Sequence, residues 1–261
     1  MKKPSIDFRQ AGHFHLDDPR MELLVTACRI HNGGMPQSDP TLAAFNRIDE
    51  VMRKRCQMPI EKHDFSAVLS EFEKRTYFTE RDFLQLASRL RNVIVHDKKD
   101  PVVELATPVF NVVERIERIA RELEAPEKVE KRFVTEEVLT VHLGQTLKEV
   151  LKMVSEKQFS QFPVIHEGKI VGLLTENGIT RWLSSAVSSE SLIEFSAATA
   201  NMILGHEEKR ENMILIGRLR ELNEIRLQFS KNPFLEAAII TQAGKPDQKP
   251  LGIITRWDLI E

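Results

Sequence analysis

Two short stretches hold residue types able to do chemistry. In Leu90-Arg-Asn-Val-Ile-Val-His-Asp97 the polar residues Arg91, Asn92, His96 and Asp97 bracket an apolar run near the end of a helical pattern, where a plain amphipathic helix would carry Lys or Glu. Histidine titrates near neutral pH, so His96 can move a proton. Arg91 is a fixed cation suited to a phosphate oxygen that gains charge. Asn92 and His96, four apart, share a helix face, whereas Arg91 and His96 diverge by about 140°. The same residues also read as bundle hydrogen bonds and a cation favoured at a helix C-terminus. The second stretch is Gly252-Ile-Ile-Thr255-Arg-Trp-Asp258. A strand that ends at Ile254 and hands over to a helix leaves free backbone N–H groups and the positive dipole end at Thr255, which adds a hydroxyl. Arg256 can reach a phosphate oxygen, and Asp258 sits in the first turn. Read without a ligand, Thr255 is an N-cap and Asp258 a helix-dipole residue.

The chain around them is an ordinary globular one of 261 residues, long enough for one large domain or two, with 41% hydrophobic and 29% charged residues. A formal charge of −2 excludes a globally basic nucleic-acid binder. Cys28 and Cys56 lack CxxC spacing and ligand-spaced histidines, which reads as two idle thiols in a reducing compartment. Pro4, Asp7, Arg9 and Gln10 stand where a signal peptide needs an apolar run, and no apolar stretch has membrane-spanning length, so the expectation is a cytoplasmic protein without a membrane partner. His13 and His15 with Asp17 and Asp18 have ligand chemistry but read as an exposed polar tail. Walker, GxSxG, GxGxxG and zinc spacings are absent, and the expected metal set is empty.

The elements that must position these residues fall into two grammars. From Asp17 to Glu124 the pattern is helical: Met21 to His31 closed by Gly33-Gly34, a helix from Asp39-Pro40 to about Cys56, one capped by Asp64, one opened by Thr79 and Asp82 with Phe83, Leu86, Leu90 and Ile94 at core spacing, and one from Asp100-Pro101 past Arg121, kinked at Pro108. This predicts a bundle of about five helices over residues 1–125. Residues 126–132, charged and opened by Pro126, read as a linker. Beyond it the pattern is β-α-β-β-α: strand 137–141, helix 146–156, strands 162–166 and 170–174, and a helix near 179–185. The unit recurs: 164–179 is echoed by 239–260, preceded by strand 213–216 and a helix within 219–230, with 187–211 a partly helical bridge. The repeats are placed at about 133–186 and 207–261, and the fold class is α+β, an all-α bundle followed by an α/β pair.

Residues 130–261 resemble a tandem pair of CBS domains, the Bateman module, most specifically in Gly252-Ile-Ile-Thr255-Arg-Trp-Asp258, which fits the family's ribose-phosphate motif. The resemblance implies an adenine nucleotide, AMP, ADP, ATP or a related adenosine ligand, held by Thr255, Arg256 and Asp258, with the carboxylate accepting from the ribose hydroxyls. No cofactor is required. The first copy reads Gly172-Leu-Leu-Thr175-Glu-Asn-Gly178. It keeps Thr175 as a binding residue but has glycine in place of the ribose carboxylate. Phe162 to Val164 and Ala237 to Ile239 are the expected purine walls.

Arg91-Asn92, three further residues and His96 resemble the motif of HEPN domains over about residues 20–124. That resemblance implies a metal-independent endoribonuclease with catalytic Arg91, Asn92 and His96, RNA as partner, and a homodimer in which two copies of the motif face one another. Ligand control of such an enzyme is one expectation. The other is a non-catalytic nucleotide sensor whose bundle serves dimerisation or partner docking.

Overall fold

The structure, a computed structural model, describes residues 28–31, 40–96, 104–108, 110–135, 137–157, 159–188, 195, 197–207 and 212–259. The chain forms two compact units, residues 1–72 with 79–125 and residues 73–78 with 126–261.

The first unit contains β1 (Cys28–His31), α1 (Pro40–Cys56), α2 (Phe65–Glu73), α3 (Arg81–His96), β2 (Glu104–Pro108) and α4 (Phe110–Glu124). Helix α4 buries Val112, Ile116, Ile119, Ala120 and Leu123, a stripe at i, i+4, i+7, i+8 and i+11. From α1 come Ala44, Phe45, Ile48 and Met52, and from α2 Val68, Leu69 and Phe72. Arg47 of α1 fixes the register against α4 through Glu117 at 2.6 Å and Glu124 at 3.0 Å. Asp64 caps α2, accepting from the Ala67 N–H at 2.7 Å. Glu80, one residue after Thr79, gives the first carbonyl to α3.

Two expected helices fail here for one reason. Residues 28–31, read as the end of a helix from Met21, form β1, which pairs antiparallel with β2, placing Cys28 opposite Pro108 and Arg29 opposite Thr107. Strand β2 occupies the middle of the helix expected from Asp100, so α4 begins only at Phe110. Pro108 would have broken a helix interior but is tolerated at a strand end. Pairing across 73 to 80 positions is non-local and leaves no periodicity to read. Among the described residues this unit is therefore four helices and a small sheet, in place of about five helices.

The second unit contains two copies of one pattern. In repeat one, β3 (Val141–His142) runs parallel to β4 (Gln161–His166), which pairs antiparallel with β5 (Lys169–Thr175). Helix α6 (Leu147–Lys157) connects β3 to β4, and α7 (Glu176–Ser188) follows β5. In repeat two, β6 (Met213–Gly217) runs parallel to β7 (Ala237–Thr241), which pairs antiparallel with β8 (Gly252–Thr255), and α9 (Leu222–Lys231) connects β6 to β7. The β4–β5 turn is tight because Glu167 and Gly168 both take left-handed φ, 47° and 74°.

Two short helices cross between the repeats. Helix α5 (Glu130–Phe133), which precedes repeat one in the chain, lies on repeat two: Val129 is fully buried there with Leu222, Ile225, Phe229 and Ile254. The Val129 N–H donates to the Arg220 carbonyl at 3.0 Å, and Arg218 pairs with Glu130 at 2.6 Å. Helix α8 (Ala200–Leu204), which precedes repeat two, lies on repeat one, where Ala200 and Ile203 join Val141, Leu147, Val150 and Phe162. Residues 126–132 are thus not a free linker from Lys128 onward. Their apolar contribution to that cluster is Val129, joined by Phe133 just beyond them, too sparse to register as a face. A third cluster, Ile170, Leu173, Ala237 and Ile239, joins the sheets of the two repeats.

The crossing helices also explain the glycine that opens each motif. A Cβ on Gly252 would collide with the Phe133 carbonyl of α5, and one on Gly172 would meet the Leu204 side chain of α8. At these positions the strand must lack a side chain for the crossing helix to approach.

Candidate functional site: a threonine and a carboxylate in each repeat

Strand β8 ends at Thr255, where the backbone turns into a 3-10 turn, Trp257–Leu259. Asp258 reaches back over this turn. Its Oδ2 accepts from both the Thr255 N–H and the Thr255 hydroxyl, each at 2.7 Å. The pair is solvent-accessible and Asp258 is exposed. Arg256 does not join them. Its guanidinium donates to the carbonyls of Phe229 (3.1 Å), Asn232 (3.0 Å) and Leu235 (3.4 Å), and lies over the Phe229 ring. The C-terminal carbonyls of α9 lack helical partners and carry the negative dipole end, so they hold this cation more effectively than solvent does. Arg256 thus caps the end of α9 in this structure.

In repeat one Thr175 occupies the position of Thr255 but is buried. The carboxylate it meets comes from 32 residues away. The Thr175 N–H donates to Glu207 Oε1 at 2.7 Å and the Thr175 hydroxyl to Oε2 at 2.9 Å. Asn212 adds a longer contact to Oε2 at 3.4 Å, and the Gly178 N–H donates to Thr175 Oγ1 at 3.1 Å. Gly178 is what admits Glu207, because a Cβ there would collide with the Glu207 carboxylate. The residue that deprives this motif of its own acid therefore makes room for another.

Thr146 and Glu149 at the start of α6 provide an internal comparison. There the N–H and hydroxyl of Thr146 donate to Glu149 Oε2 at 2.9 and 2.8 Å, a capping box in full solvent. Those two hydrogen bonds hold the Glu149 carboxyl below its ordinary pKa. Glu207 receives the same two donors and moves the other way, to about 7, because burial outweighs the hydrogen bonds from Thr175; Glu236 adds repulsion and Arg181 opposes it. Sequence reasoning missed Glu207 because it lies in the bridge 187–211. Its one signal is indirect: glycine at 178 leaves the donors of Thr175 without a local acceptor.

The purine walls expected at Phe162 to Val164 and Ala237 to Ile239 are core. Phe162, Val164, Ala237, Ala238 and Ile239 are all fully buried, since β4 and β7 are the central strands of their sheets.

In the first unit, Arg91 and Asn92 line a groove of about 1190 Å³ between α1, α3 and the loop 57–64. Arg53 secures that loop, donating to the His63 carbonyl at 2.8 Å and to Asp49 at 2.8 Å. Arg91 Nη1 donates to Asn92 Oδ1 at 3.3 Å, while its Nε is buried with no partner among the described residues. His96 is the last residue of α3, and its side chain, like Asp97, lies outside the described residues. The structure thus brings Arg91 and Asn92 together and leaves His96 untested.

Residues 129–185 match the family model of the CBS domain. Over those residues the chain is similar to a CBS domain. The match spans β3 to α7 and begins at Val129, where α5 docks, and repeat two has the same strand order and pairing sense. A curated relative, Uncharacterized protein MJ0188 of Methanocaldococcus jannaschii, is 24% identical over 128 residues, covering 49% of this chain. The chain spans only 41% of that relative's length. Similar solved structures include the CBS domain of a CBS domain-containing membrane protein from Sphaerobacter thermophilus, at 23% identity, 57% of this chain, 95% of that one and a TM-score of 0.42. Another is a putative signal-transduction protein with CBS domains from Burkholderia ambifaria, at 18% identity, 47% and 79% coverage and a TM-score of 0.37. A third is the CBS domain pair of protein MJ0100 in complex with 5'-methylthioadenosine and S-adenosyl-L-methionine, at 17% identity, 51% and 93% coverage and a TM-score of 0.38. No helix among the described residues is long and apolar enough to cross a membrane.

Proposed function

We propose that the second unit is a regulatory CBS pair that senses one adenine nucleotide, AMP, ADP, ATP or a related adenosine ligand, at repeat two. Thr255 and Asp258 form the site, no cofactor is required, and a homodimer is the working assembly. The observation that carries this reading is the difference in access between two otherwise matching threonine–carboxylate pairs. At Thr255 the acceptor is an exposed local acid, so a phosphate can take over the Thr255 donors while Asp258 turns to ribose hydroxyls. The exposed hydrogen bonds exchanged are each worth only about 0.5–1.5 kcal/mol net. At Thr175 both donors are engaged by a partly buried carboxylate and no local acid is available for a ribose.

Isothermal titration of the full chain with AMP, ADP and ATP tests this. One site per chain is expected, weakened by about 1–3 kcal/mol, or roughly 5- to 150-fold, in Asp258→Ala. Glu207→Gln should leave that affinity unchanged. Two equal sites, or an Asp258→Ala protein that binds as before, would overturn the reading.

A second reading concerns the first unit, as a metal-independent endoribonuclease with Arg91, Asn92 and His96 at its site and RNA in the groove. It is favoured by the placement of Arg91 and Asn92 side by side on the wall of the groove. Its test is RNA cleavage that persists in EDTA.

A further inference from the structure

The Glu207 carboxylate stands on the same two donors of Thr175 that Asp258 takes on Thr255, at the N-terminus of the 13-residue helix α7. It arrives there on the segment that leaves α8 and leads to β6, which is the covalent crossover from repeat one to repeat two. Leu204, three residues earlier, is seated against Gly172, and Asn212, five residues later, reaches the same carboxylate. The crossover is therefore tied to repeat one at two successive points, Leu204 and Glu207, and the second is a charge on a helix N-terminus.

We propose that Glu207 is a latch: an internal anion that occupies the anion position of repeat one, closes it to exogenous oxyanions, and fastens the crossover between the repeats until the carboxylate is displaced. The latch is independent of nucleotide binding at repeat two, which uses a different threonine and a different acid.

Three features support a device over a simple cap. The acceptor is remote in sequence, whereas both other threonine caps of this pattern use an acid three residues on. The pocket is shaped to it, because Gly178 leaves a space that the carboxylate fills. Its charge is poorly compensated. Glu236 approaches from the start of β7 and repels it, Arg181 on α7 attracts it, His206 is its chain neighbour but turns its Nδ1 to the Met202 carbonyl, and residues 208–211 lie outside the described residues. Burial raises the Glu207 pKa to about 7, so the seated carboxyl favours its protonated form and the charged form that dominates above neutrality is held less firmly.

The test uses amide resonances of the full-length protein in solution, with sulfate as probe because its charge is constant across the pH range. In the wild type the Thr175 amide should titrate with a midpoint near 7, and Glu207→Gln should abolish that titration. At pH 8 sulfate should leave the Thr175 and Gly178 amides of the wild type unmoved. In Glu207→Ala it should shift them saturably, with an apparent affinity at least about tenfold above the wild type, as expected when charge-assisted hydrogen bonds no longer compete. Gly178→Ala, which fills the carboxylate's place, should perturb the Thr175 amide as Glu207→Ala does and needs no loss of the acid itself. A Thr175 amide that fails to titrate, or titrates equally in Glu207→Gln, overturns the latch. So does sulfate that moves the repeat-one amides alike in wild type and Glu207→Ala, or moves them in neither.

Discussion

Replacing Glu207 by Gln should reshape the dependence of stability on pH. Burial pushes the carboxyl up to about 7 in the folded chain, against 4.5 for an unperturbed glutamate. Between those values the folded protein holds a proton that the unfolded chain has released, so stability falls as pH rises through this window and is fully present below it. The full difference corresponds to an upper bound of about 3 kcal/mol. The group is only partly buried, and solvent screening reduces the contribution to about 1–2 kcal/mol. For a unit of this size that is a fall in Tm of about 2–8 °C.

Glutamine has nearly the shape of the protonated acid and no charge. Its carbonyl can still accept from the Thr175 N–H, and its amide can donate to the hydroxyl. Thermal unfolding of both proteins from pH 5 to pH 8 in a constant-ionic-strength buffer series gives two curves whose difference isolates this residue. The wild type should lose stability relative to Glu207→Gln as pH rises, with the steepest separation between pH 5 and 7. At pH 8 Glu207→Gln should be at least as stable as the wild type. Parallel curves would refute the reasoning, because the two proteins would then bind the same number of protons on folding. A wild type that gains stability with pH relative to the variant would show that the hydrogen bonds outweigh burial, as they do at Glu149.

Arg256→Ala should cost about 1–3 kcal/mol in urea unfolding by stripping the carbonyls of Phe229, Asn232 and Leu235 of their cation, while nucleotide affinity stays within about twofold; a large loss of affinity without loss of stability would return Arg256 to the ligand. In the first unit, RNA cleavage in EDTA should leave 2',3'-cyclic phosphate ends and disappear in folded Arg91→Ala and His96→Ala proteins, and inactivity of the wild type across diverse RNAs would favour a docking role.

Local devices were the legible ones. The α1 helix from Pro40, the Asp64 cap, the matching strand order of the repeats and the Thr255–Asp258 spacing all depend on residues within a few positions of one another. What escaped was non-local. Strand β1 owes its form to a partner near residue 108, and α5 serves the repeat it does not precede. Arg256 has the right type and position for a phosphate, yet three carbonyls from residues 229 to 235 claim it. The purine walls failed differently: apolar strand residues at a motif's edge look alike whether they line a slot or a core, and only the central position of β4 and β7 decides.

The divergence of the two repeats can be traced to one position in the motif. Thr146, Thr175 and Thr255 each present an N–H and a hydroxyl to one carboxylate, and in two of the three the acid lies three residues on. A local acid arrives with its turn, orders almost no extra chain, and stays in solvent, where its bonds exchange cheaply. At Thr175 the third residue on is Gly178, so the acceptor must be brought from Glu207, and that requires α8 and the crossover to be ordered around it. The remote carboxylate loses hydration on the way in, which raises its pKa. In exchange it makes a helix cap into a long-range tie. Exchangeable chemistry is thereby left to repeat two and positional control to repeat one, a division of labour that follows from where each acid sits in the sequence and how much water it keeps.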